Sequence, residues 1–186
     1  MYLYWTSAGV WIVWWVYWLI SARLTARTKS SEAWLARMTH LVPLGLAFFL
    51  IFHDANDAVF YGILYRVRWL QAVGVAVTAA GLSFAVWARL HLGKYWSAMI
   101  TLKDEHKLIR TGPYRFVRHP IYTGFIAGAI GSAITIGSGD AWVGAAILMP
   151  TYLVKIWREE KFLSAEFGEE YGRFRREVAM IVPFVI

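Results

Sequence analysis

Long apolar runs separated by basic, polar stretches dominate the chain, and their lengths predict its elements. An α-helix needs about 20 apolar residues to cross the hydrocarbon core of a bilayer, within a range of about 17–25. Residues 3–20 meet that requirement without a Lys, Arg, Asp, Glu or His. The run lacks a basic leader and is too long for the apolar part of a secretory signal, so it predicts a retained span. Residues 69–92 form another span, charged only in the last turn by Arg89 and His91. Residues 121–138 and 142–157 form two more, and in the latter Pro150 removes a backbone donor and predicts a kink. The run 41–52, between His40 and His53, is too short to cross alone. Extended to 39–55, it predicts a thinned or re-entrant helix paired with the first span. The pattern predicts an all-α, polytopic integral membrane protein with about five transmembrane helices.

The polar stretches agree with that count. Five spans with the N-terminus outside leave residues 21–38, 93–120 and 158–186 inside. These hold 15 Lys and Arg residues, whereas the outside loops hold only Arg66 and Arg68. Cytoplasmic loops are the basic ones, so the asymmetry orients the chain. Four spans would set the first basic loop against the other two. Composition points the same way: 59% of residues are hydrophobic and 17% charged, with mean hydropathy +0.47. A soluble domain carries about 25% charged residues. The net charge of +7 is accounted for by the inside loops and calls for no nucleic acid. With no cysteine, disulfides, Cys-zinc sites, iron–sulfur clusters and thiol nucleophiles are excluded. No metal-ligand spacing is present, and His40, His53 and His91 near the span ends read as interfacial or structural.

Two inside segments are more than connectors. In 106–124, Thr111-Gly112-Pro113 and His119-Pro120 are turn signals that break the helix. Backbone groups released at the bilayer surface need protein, water or a ligand to satisfy them. In 155–178, Phe162, Leu163, Phe167, Tyr171, Phe174 and Val178 make an amphipathic stripe, read as a C-terminal helix lying on the cytoplasmic face. Lys155 and Glu159 share one face at i and i+4, where the last span leaves the hydrocarbon. An exposed pair of that kind is worth only about 0.3–0.5 kcal/mol, while charges at a membrane edge point to function. Gly124, Gly128 and Gly131 read as a close helix contact, and the Trp-rich first span as lipid-facing or anchoring.

The 106–124 tract and the tract running Arg158-Glu159-Glu160 to Phe167-Gly168-Glu169-Glu170-Tyr171 resemble the isoprenylcysteine carboxyl methyltransferase family, with its prokaryotic relatives. The resemblance extends to phospholipid methyltransferases and covers about the last ninety residues. It implies a single membrane domain, 1–186, with spans one to three in 1–92 and a cofactor-binding part in 93–186. The cofactor it implies is S-adenosylmethionine. By position, His106, Lys107, Leu108 and Ile109 would hold it, with Tyr114, His119, Pro120, Ile121 and Tyr122 completing the pocket. Glu159, with Glu160 beside it, would take the cofactor's amino group. Glu159 and Arg118 are the expected catalytic residues, and Lys155, Arg118 and Arg176 the expected acceptor contacts. Lys155 stands where the family has an arginine, keeping the charge and losing the planar fork, and Met99 replaces a polar family position.

The resemblance further implies a lipophilic or prenylated acceptor entering from the bilayer. It places the active site on the cytoplasmic face of a prokaryotic membrane, where a small isoprenoid acid is the more fitting acceptor. Methyl transfer to a carboxylate needs alignment and water exclusion rather than a strong base. Phospholipid N-methylation and a non-catalytic accessory role are the alternatives. Membrane lipids are the expected surroundings, and the sequence leaves the oligomeric state open.

Overall fold

In the computed structural model, residues 2–23, 34–53, 67–93 and 108–183 are described; His106, Lys107 and Met99 lie outside them. The described residues form five long helices: α1 (Tyr2–Ala22), α2 (Trp34–Phe52), α3 (Arg68–Leu92), α4 (Pro120–Ile136) and α5 (Gly139–Glu177). A short 3-10 helix, Gly112–Arg115, precedes α4. The predicted all-helical class holds. By length and apolar composition α1 and α3 each suffice to cross a membrane, whereas the apolar stretches Met38–Phe52 and Pro120–Ile136 are shorter.

Three expectations are corrected. The last span runs without a break into the amphipathic stretch, and α5, with Pro150 inside it, kinks later, at Gly168 with φ 49°. No side chain crowds that site, and glycine tolerates the left-handed backbone. Secondly, α2 pairs along its length with α5 rather than with α1. His53 meets Asp140 at 3.4 Å near one end and Thr39 accepts from Arg158 at 3.2 Å near the other. Between them a Cβ on Gly144 would lie 2.6 Å from the Ala47 carbonyl oxygen. Contact with α1 runs through rings, Trp11 on Phe48 at 4.8 Å among them. Thirdly, only part of the Trp-rich span faces outward. Trp5 is exposed, but Trp11 and Trp14 are buried, and Trp14 packs edge-on against Phe125 at 4.6 Å.

The expected glycine contact is present, and α3 is its other half. A Cβ on Gly124 would sit 2.4 Å from the Gly81 carbonyl oxygen, and one on Gly131 would sit 2.5 Å from the Thr78 nitrogen. Small residues on both helices bring the backbones together, which replaces the hydrophobic drive that lipid does not supply. The seam also satisfies its own polar groups. Trp11 Nε1 donates to Ser132 Oγ at 2.9 Å, Ser132 Oγ donates to the Gly128 carbonyl at 2.9 Å, and Thr78 Oγ1 reaches that carbonyl at 3.2 Å. The α3–α4 pair thus forms a rigid post from which the His119-Pro120 turn emerges.

Candidate active site at the helix ends

The turn is built from the sequence signals that announced it. Gly112 adopts φ 61°, and a Cβ there would meet the His91 ring at 2.7 Å, so only glycine lets the chain pass the end of α3. His91 Nε2 also bonds Thr111 Oγ1 at 2.8 Å. Pro113 and Tyr114 are buried in the 3-10 helix. His119 caps α4 from a non-helical conformation, with Pro120 at the first helical position, where its missing N–H goes unused.

A strap that the sequence did not announce closes over this turn. After α5, residue Ala179 bridges to Val117 in parallel. The amides of Arg118 and His119 donate to the carbonyls of Ala179 and Met180 at 2.8 and 3.1 Å. Thr123 Oγ1 donates to the Ile181 carbonyl at 2.8 Å. Chain segments about sixty residues apart are therefore locked together beside the two glutamates of α5.

Those glutamates part company. Glu160 is buried, its side chain 8% exposed, and gathers three partners: Arg118 Nε donating at 2.8 Å, His119 Nε2 at 3.3 Å and an ion pair with Arg175 Nε at 3.4 Å. Burial alone would raise its pKa, but the hydrogen bonds from His119 and Arg118 and their charges outweigh it and hold the carboxyl down to about 2. Glu159, 34% exposed, turns the other way. Its Oε2 lies 3.8 Å from His119 Nδ1 and is buried with no hydrogen-bond partner.

Aromatic groups wall the space in front of Glu159. Tyr122 stacks on His119 with centroids 5.9 Å apart and lies near the Glu159 carboxylate. Tyr152 packs on Tyr122 at 5.3 Å and on Phe125 at 5.6 Å, and His40 of α2 on Tyr152 at 5.5 Å. Lys155 Nζ stands 5.9 Å from the Tyr122 ring. Opposite, Tyr114 lies between Glu159 and Arg89. Burial first, then the Glu159 carboxylate, push its hydroxyl pKa up, and the Arg89 guanidinium opposes them. Arg89 is itself buried, donating to the Ser21 carbonyl at 2.7 Å and the Gly93 carbonyl at 3.0 Å.

Of the sequence-predicted residues, Tyr114, His119, Tyr122, Lys155 and Glu159 converge on one face. Pro120 and Ile121 are buried at the start of α4, and Leu108 and Ile109 are half-buried at the approach to the turn. Arg118, expected to meet an anionic acceptor, has a side chain 7% exposed whose guanidinium is engaged by Glu160 and by the Arg175 and Val178 carbonyls. Glu160, expected beside the cofactor, is the hub of that clasp. Arg176 is exposed on the last turn of α5, and its neighbour Arg175 is the one that reaches inward. Arg89, Tyr152, Arg175 and the strap went unpredicted. A charge inside an apolar run was the available signal for Arg89; the strap has no local signature.

Comparisons with known proteins bear on the family and the fold. Residues 72–165 match the sequence profile of the isoprenylcysteine carboxyl methyltransferase (ICMT) family. The match begins inside α3, so the part with family character starts before the last ninety residues and takes in Arg89. A rice (Oryza sativa subsp. indica) protein named "Probable protein-S-isoprenylcysteine O-methyltransferase" is 28% identical over 145 residues, which cover 76% of this chain and 75% of that one. Protein-S-isoprenylcysteine O-methyltransferase B of Arabidopsis thaliana is 26% identical, covering 69% of this chain and 67% of its own. For the mouse protein-S-isoprenylcysteine O-methyltransferase the identity is 26%, with 69% of this chain matched to 47% of the mouse protein. Among solved structures, the eukaryotic intramembrane Ras methyltransferase ICMT superimposes with a TM-score of 0.61. It is 21% identical, covering 84% of this chain and 55% of that one.

Proposed function

The chain belongs to the isoprenylcysteine carboxyl methyltransferase family, and from that premise we propose that it is an integral-membrane, S-adenosylmethionine-dependent methyltransferase that esterifies the carboxylate of a lipophilic, isoprenylcysteine-like acceptor. The observation that carries the reading is Glu159 Oε2, a buried carboxylate oxygen with no hydrogen-bond donor, facing an aromatic wall at the end of the bundle. A buried acceptor left unpaired costs about 1–3 kcal/mol, more when charged, so the site is made for a cationic donor. The ammonium of a methionine-like moiety is such a donor, and the residues present fit that cofactor.

Bound there, S-adenosylmethionine supplies a methyl group from a sulfonium cation. Glu159 takes the ammonium, with Tyr114, His119 and Tyr122 around it. Leu108 and Ile109 line the approach, and His106 and Lys107 lie outside the described residues. Lys155 orients the acceptor's carboxylate beside Tyr122, and Tyr152 and Phe125 exclude water and meet the acceptor's apolar part. Two opposite charges are neutralised in the transfer, so alignment and desolvation suffice and no general base is called for.

The chain crosses the membrane five times in this reading, α2 and α4 as short spans supported by α5 and α3. The basic ends of the helices, and the site with them, face the cytoplasm, as the 15-to-2 partition of Lys and Arg favours. The decisive experiment is binding of S-adenosylmethionine and S-adenosylhomocysteine to the purified protein in lipid nanodiscs. Glu159→Ala is expected to weaken both by about tenfold or more, the size of a charge-assisted hydrogen bond. Folded unaltered protein that binds neither ligand would refute the proposal. With binding established, a base-labile methyl product identifies carboxyl methylation, and a base-stable one the N-methyl alternative.

A further inference from the structure

The pairing of His119 with two carboxylates decides where its proton sits. Glu160 accepts from Arg118, is ion-paired with Arg175 and meets His119 Nε2 at 3.3 Å, and an ionised carboxylate has no hydrogen to give. The hydrogen in the His119–Glu160 contact therefore belongs to Nε2. In a neutral imidazole that leaves Nδ1 with its lone pair. In that form the lone pair faces Glu159 Oε2, 3.8 Å away, an oxygen with no donor. A hydrogen on Nδ1 would draw the pair to the usual separation of about 2.7–3.2 Å. Instead the two stand apart as acceptors do, with space for one donor to serve both. Tyr122, stacked on the ring at an interplanar angle of 30°, prevents the imidazole from turning away.

We propose that Glu160 is a positioning residue: by fixing the His119 proton on Nε2, it makes His119 Nδ1 and Glu159 Oε2 a two-acceptor seat for a primary ammonium group. The inference rests on the methyltransferase reading, in which that group is the cofactor's amino group. Adjacent glutamates thus have complementary tasks. Glu160 faces inward and sets the tautomer, while Glu159 faces the ligand.

The test uses the full chain in nanodiscs and two probes, S-adenosylhomocysteine and its deaminated analogue. Glu160→Met removes the acceptor that holds the ring hydrogen on His119 Nε2 and lets that hydrogen move to Nδ1. Affinity for S-adenosylhomocysteine is expected to fall about tenfold, the worth of one hydrogen bond to a charged group. Affinity for the deaminated analogue is expected to stay as in the unaltered protein. Equal loss for both probes would reduce Glu160 to a structural role, and no loss for either would also overturn the proposal. Nitrogen NMR of ring-labelled, unaltered protein, with the signal assigned by its disappearance in His119→Gln, reads the protonation directly; a ring carrying a hydrogen on Nδ1, neutral or charged, overturns the inference without any need for Glu160→Met to fold. If unaltered protein binds no S-adenosylhomocysteine, the methyltransferase reading falls and takes this inference with it. Binding with an unchanged probe ratio overturns the inference alone.

Discussion

The α3–α4 seam and the clasp around Glu160 both bury polar groups, and they satisfy them by opposite means. Along the seam the partners are neutral: Ser132, Thr78 and Trp11 exchange hydrogen bonds with one another and with the Gly128 carbonyl. At the clasp the partners are ionic, one carboxylate paired with the guanidinium groups of Arg118 and Arg175 beside the His119 ring. The five-span reading proposed above sets the seam in hydrocarbon and the clasp near the headgroups. Inside hydrocarbon a charge is expensive and a hydroxyl on a backbone carbonyl is cheap; near the headgroups an ionised cluster is tolerated once its oxygens have partners. The seam sets where the helices stand, and the clasp sets how the turn between them is aimed.

The sharpest way to break the comparison is Gly131→Leu. The added Cβ would fall 2.5 Å from the Thr78 nitrogen and 2.6 Å from the Gly74 carbonyl oxygen, both backbone, so α3 and α4 must separate. The expected result is loss of the folded protein, read as the disappearance of a monodisperse, cooperatively melting species in nanodiscs. A folded protein with near-normal melting would show that the seam is not the post described.

Arg118→Ala comes next. It leaves Glu160 buried with fewer donors, and removing one partner of a buried pair typically destabilises by about 3–5 kcal/mol. The fall in thermal stability should be large, and the turn and strap should become accessible to proteolysis before the seam does.

Acid exerts a graded effect on one region alone. The folded pKa of Glu160 is held down to about 2 from an ordinary value of 4.5. A depressed carboxyl adds stability that is complete above the ordinary value and is lost as pH falls from about 4.5 towards 2. The hydroxyls of the seam do not titrate in that range. The strap should therefore loosen across this window while α3 and α4 stay protected from hydrogen exchange, and Glu160→Gln should flatten the response. Uniform loosening of both regions would erase the distinction.

Much of the architecture was legible locally. Helices α1, α3 and α4 fall within about two residues of the apolar runs that predict them, because burial in lipid selects for length and apolarity with little regard to neighbours. The glycines of α4, the Thr111-Gly112-Pro113 turn and the His119-Pro120 break are equally local. Partner choice was not: α2, expected beside α1, lies along α5, since only the facing surface decides which of several apolar helices is the better fit.

The sequence by itself determined the helical class, the broken turn and the set of polar residues at the helix ends. These depend on composition, on backbone preferences within a few residues and on the chain's inability to leave polar groups in hydrocarbon. The tertiary structure alone decided how that set divides. Glu159 and Glu160 are neighbours in sequence, but a rotation of about 100° per residue on a helix sends them to different surroundings. A strap returning from the end of α5 supplies those surroundings to Glu160 and Arg118, and only a folded chain brings residue 179 to residue 117.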